Sequence, residues 1–160
     1  MAAKIAELRI PADQRYILVA KRSAVAFGSI IGLDIEALDD LSIAVAQACE
    51  NAIAMTQEWM EDCVGELRLE FAMSPEAEGL EVRVRAVCPK SEALQGDQER
   101  EVAASQSSSV QPGERTSQED ATAMLDMGLR LMQLFVDDCR YRVDEQHHGV
   151  HIRLTKYRLM

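Results

Sequence analysis

Residues 42–55 read SIAVAQACENAIAM, a helical stretch that carries polar side chains where a core is expected. Val45, Ala48, Cys49 and Ala52 recur at three- and four-residue steps, the spacing of a buried helix face. Gln47 and Asn51 stand four apart, so they project from one face with one turn between them and can converge on a single ligand. The Asn51 amide offers an oxygen to hydrated Mg²⁺ or nitrogens to phosphate oxygens. A glutamate at position 47 could take a proton from an attacking hydroxyl, whereas Gln47 has no such basicity. Two readings stay open on these residues alone: a ligand site, or a solvated flank carrying Gln47, Glu50 and Asn51.

The rest of the chain is read outward from this helix. Its start is marked by Gly32 and the capping residue Asp34, and its stripe continues through Leu38 and Leu41 to about Trp59. Upstream, Ile5–Ile10 alternates as a short strand ending at Pro11, and Arg15–Ile31 fits a first helix capped by Asp13. Downstream, residues 64–73 and 80–87 alternate around the turn SPEAEG and predict an antiparallel hairpin with one wet, charged face. Residues 88–120 are rich in Ser, Gln and Glu without an apolar period, which predicts a long flexible loop. A third helix is expected from about Ala121 to Val136, then a closing hairpin, Cys139–Glu145 and Val150–Arg158, around His147, His148 and Gly149. This order predicts one domain over 1–160. Its fold class is α+β, a two-layer sandwich of one mixed, mainly antiparallel sheet with about three helices on one face.

Composition narrows the function. Seventeen basic against 27 acidic residues give a net charge of -10, which argues against a nucleic-acid partner and suits a basic protein surface. No apolar run reaches the ~18 residues that span a bilayer, and MAAKIAELRI does not read as a signal peptide, so a cytoplasmic protein without a membrane partner is expected. Cys49, Cys63, Cys88 and Cys139 stand singly and make no zinc pattern. Reduced thiols are expected, with Cys88 the most exposed.

At this point two helices and the last strand resemble a known family. Asp40, Ala44, Val45, Gln47, Ala48, Asn51, Ala52 and Met55 are similar to the D-x-x-x-A-V-x-E-A-x-x-N-A-x-x-H stretch of bacterial anti-sigma-factor serine kinases, the RsbW and SpoIIAB type within the GHKL (Bergerat) ATPase fold. Met127-Gly128-Leu129-Arg130-Leu131-Met132 resembles the second half of the family's G-x-G-L-x-L-M run, and VHIRLTKYRL resembles its last strand. The resemblance implies Asn51 as the Mg²⁺ ligand, Asn51 and Gly128 as remnants of a nucleotide site, and Gln47 at the position of the catalytic glutamate. It also implies departures. The adenine motif Asp-x-Gly-x-Gly is replaced by Val87-Cys88-Pro89-Lys90-Ser91, and Asp126 stands at the first phosphate-loop glycine, facing a helix N-terminus. Asp97, Glu99 and Glu50 are the candidate surrogate acids, Lys90 a candidate phosphate ligand, and Gly96 and Gly113 lie in the segment that replaces the ATP lid. The implied function is a regulator that binds a sigma factor, an anti-anti-sigma (STAS) antagonist, or both, as a homodimer, with ATP binding weak or lost and no cofactor needed. The alternative is an active Mg-ATP-dependent protein serine kinase.

Overall fold

The computed structural model describes residues 3–59, 65–74, 78–88, 115–144 and 149–159. Strand β1 (Ala3–Pro11) leads through a 3-10 turn (Gln14–Tyr16) into helix α1 (Ile17–Ile31) and then α2 (Ile35–Trp59). Strands β2 (Glu66–Ser74) and β3 (Gly79–Val87) follow, then α3 (Arg115–Phe135), β4 (Asp138–Asp144) and β5 (Gly149–Tyr157). The junctions follow local chemistry. Asp13 accepts the Arg15 N–H at 2.9 Å, and Asp34 caps α2 by accepting the Ala37 N–H at 2.8 Å. Gly32 closes α1 at φ 92, a left-handed conformation that a side chain disfavours.

The sheet order is β1-β2-β3-β5-β4, and every pair is antiparallel. The expected mixed sheet is corrected here. A single helix crossover, α3, returns the chain so that β4 runs parallel to β3, but β5 inserts between them and these two parallel strands do not pair. Two helices, α1 and α2, separate β1 from β2, so those neighbours are antiparallel as well.

Strand alternation divides the sheet into two faces. Leu67, Leu69 and Phe71 of β2, Leu80, Val82 and Val84 of β3, and Val150, Ile152 and Leu154 of β5 point inward and are almost fully buried. The apolar face of α2, including Leu41, Ala44, Val45, Ala48 and Ile53, lies over them. Phe27 of α1 stacks on Phe71 with ring centroids 4.8 Å apart. Helix α3 packs on α2 and ends against β4. Among the described residues no helix is long and apolar enough to cross a membrane.

Two expectations change. The loop expected through residue 120 ends at Arg115, where α3 begins; RTSQEDATA lacks an apolar period but contains good helix formers. The thiols are not uniformly reduced: Cys49 and Cys139 are free, while Cys88 is buried rather than exposed and is disulfide-bonded.

Candidate functional site

Three residues singled out from sequence, Gln47, Asn51 and Gly128, meet where α3 crosses α2. The α2 face that buries Ala48 and Ala52 carries Asn51 under α3, only 9% exposed. Gln47, half-buried one turn earlier, donates from Nε2 to Asn51 Oδ1 at 3.0 Å. The other end of the amide, Asn51 Nδ2, is buried without a hydrogen-bond partner among the described residues. An orphaned buried donor costs about 1–3 kcal/mol, so this arrangement is paid for by packing elsewhere. Gly128 makes the crossing feasible: a Cβ there would lie 2.8 Å from both Asn51 Cγ and Oδ1, and closer still to Nδ2. Only a residue without a side chain fits over Asn51.

This geometry bears on ligands. A hydrated Mg²⁺ seeks oxygen ligands, but the Asn51 oxygen already accepts from Gln47, and the unsatisfied atom is an N–H donor that repels a cation. Among the described residues no group of three His, Cys, Asp or Glu converges as a metal site. In this arrangement Gln47 takes one of the two acceptor sites of the Asn51 oxygen. The expected phosphate contacts at Asp126 and Gly128 meet a helix interior here. Both residues lie well inside α3, where backbone N–H groups bond within the helix instead of pointing at an anion. Asp126 is exposed, and so is Glu50. Lys90, Gly96, Asp97, Glu99 and Gly113 lie outside the described residues.

Another contact ties the site's helices to the sheet, and sequence reading missed it. Lys156 of β5 donates to Asp40 Oδ2 of α2 at 3.1 Å and to the Phe135 carbonyl at the end of α3 at 2.9 Å. Its side chain is 13% exposed. One ammonium thus joins three elements and neutralises the negative end of α3. Asp40 and Lys156 both belong to stretches that carry the family resemblance, and that was the available signal.

The sequence profile of the histidine kinase-like ATPase domain matches residues 10–156. The chain belongs to that family. Its relatives include the serine-protein kinase RsbW of Bacillus subtilis, 26% identical over 151 residues, covering 94% of this chain and 84% of the relative. RsbW of Listeria innocua is 28% identical over 150 residues, covering 94% of this chain and 85% of the relative. Among solved structures, the RsbU and RsbW domains of a Mycobacterium tuberculosis protein align with a TM-score of 0.59 at 14% identity, over 96% of this chain and 32% of that one. That likeness speaks for the fold. The resemblance to the RsbW type and the α+β architecture read from sequence therefore hold. Within this histidine kinase-like ATPase domain, the particular feature is an Asn51 amide whose oxygen is held by Gln47 and whose surface is covered by Gly128.

Proposed function

We propose that the protein is an anti-sigma-factor-type regulator that acts by holding a partner, a sigma factor, an anti-anti-sigma STAS protein, or both, with nucleotide binding weak or lost. The observation that carries this reading is the Gln47–Asn51 hydrogen bond. A glutamate at position 47 is acceptor-only when ionised; it would take the Asn51 N–H and leave the Asn51 oxygen free for a metal. Gln47 reverses the pair, donates to that oxygen and takes one of its two acceptor sites, and supplies no base. Holding a partner needs no cofactor, so none is required here. The reading further takes residues 1–160 as one domain, places the protein in the cytoplasm, and allows a homodimer through the β1 edge of the sheet, where Ile5 is exposed.

A second reading, an active Mg-ATP-dependent protein serine kinase acting on an anti-anti-sigma factor, is favoured by the name serine-protein kinase carried by the relatives. Calorimetry with millimolar MgATP separates the two. The first reading expects no binding heat, together with a complex between the purified protein and a co-encoded sigma factor or STAS protein in size exclusion. Binding of MgATP with phosphate transfer to the STAS protein establishes the second, and absence of any such complex removes the first.

A further inference from the structure

The outer face of the sheet carries a charge pattern that the Asn51 site does not use. Across the strand register Arg9 stands opposite Arg68, Arg68 opposite Arg85, Arg85 opposite His151, and His151 opposite Arg142. One row therefore runs across all five strands as four arginines and a histidine. The adjacent row adds Arg83, Arg153 and Arg140 on β3, β5 and β4. A groove of about 380 Å³ opens along these residues between β2 and β4. Like charges directly opposite one another destabilise a sheet, and in a chain of net charge -10 such a segregated cationic row calls for a reason.

Local carboxylates neutralise part of it. Arg9 pairs with Glu7 at 2.6 Å, Arg68 with Glu66 at 2.7 Å, and Arg140 with Asp138 at 3.2 Å. Arg83 pairs with Glu81 at 2.6 Å. Arg85 and Arg142 have no carboxylate partner among the described residues, and their guanidinium forks suit two-point contact with a carboxylate.

We propose that this face docks an acidic α-helix of a partner protein, laid across the strands with one carboxylate per turn. Spacing carries the argument. Neighbouring strands repeat every ~4.8 Å. Helix positions taken alternately three and four apart advance ~5.3 Å per step, so over four intervals the two patterns drift apart by only about 2 Å, within reach of an arginine side chain. An extended peptide presents same-face side chains every ~6.7 Å and drifts by about 8 Å, more than a strand spacing. A nucleic acid fits less well: Glu66, Glu70, Glu81 and Asp138 flank the row and repel a continuous phosphate backbone. Among the described residues two ring-bearing side chains, Tyr141 and His151, line the groove, whereas stacking on several aromatic rings is the usual way to hold single strands.

The test uses the full chain and three fluorescent probes: an alanine-based helix of about 15 residues with glutamates in one stripe, a peptide of the same composition with glutamates on all sides, and an oligothymidylate. The striped helix is expected to bind, with affinity falling as salt rises, and the dispersed peptide to bind about tenfold more weakly. The double variant Arg85→Gln/Arg142→Gln should lose about tenfold in affinity for the striped helix. Its unfolding midpoint should stay equal or rise, because repulsion within the row is relieved. Equal binding of the two peptides, no binding of the striped one, tighter binding of the oligonucleotide, undiminished binding by the double variant, or a lowered midpoint would each overturn the proposal.

Discussion

Replacing Gly128 by alanine tests whether α3 is fitted over Asn51. Two opposing effects are expected. Alanine stabilises a helix interior by about 1 kcal/mol relative to glycine. Against this, the new methyl would lie 2.8 Å from Asn51 Cγ and Oδ1, so Asn51 must turn away or α3 must shift; overpacking of this kind costs about 1–3 kcal/mol. Turning Asn51 also breaks its bond from Gln47, which is worth about 0.5–1.5 kcal/mol. The sum is a net loss of roughly 0.5–3.5 kcal/mol. In an Asn51→Ala background the obstructing amide is gone, and Gly128→Ala should change sign, stabilising by up to about 1 kcal/mol. Urea denaturation of the four proteins, with midpoints compared at constant slope, reads the coupling directly. If Gly128→Ala stabilises the parent chain, or has the same effect in both backgrounds, α3 does not rest on Asn51 and the account of the site fails.

Gln47→Glu should let a carboxylate accept the Asn51 N–H, freeing the Asn51 oxygen. With the orphaned Asn51 donor satisfied, the urea midpoint should rise, by about 1 kcal/mol, and an unchanged or lowered midpoint would refute this account of the pair. Lys156→Met removes the ion pair to Asp40 and the donor to the Phe135 carbonyl; with the ammonium mostly buried, about 1–3 kcal/mol of stability should be lost in a urea titration. Burial, aided by Glu50, pushes the Cys49 thiol up to about 12, and burial with Asp138 raises Cys139 to about 11. Both pKa values are raised in the folded state, so their contribution to stability is intact below the ordinary value of 9.0 and declines as pH rises from there towards 11–12; a thermal melt series across that range should show it. In the native protein a thiol reagent should label half-buried Cys139 before buried Cys49, as read by mass spectrometry.

Much of this architecture was legible because its periods are local. The alternation of Leu67, Leu69 and Phe71 and the stripe of Leu41, Val45 and Ala48 need only near neighbours to be recognised, and Asp34 and Gly32 mark the helix ends by their own backbone chemistry. Gln47 and Asn51 were equally visible, since residues four apart on a helix share a face. The early start of α3 was not legible: RTSQEDATA has helix propensity without a core-facing stripe. The antiparallel sheet likewise depends on β5 inserting between β3 and β4, a choice among long-range pairings on which local periodicity is silent.

The sequence by itself determined the element types, the family and the pairing partners available within α2. Tertiary structure decided which end of the Asn51 amide is satisfied, why position 128 has no room for a side chain, and how Lys156 joins Asp40 to the end of α3. It also assembled single arginines, each unremarkable in its own alternating strand, into one cationic row. These features depend on distances between segments far apart in the chain, and such distances exist only once the sheet has chosen its register and the helices have crossed.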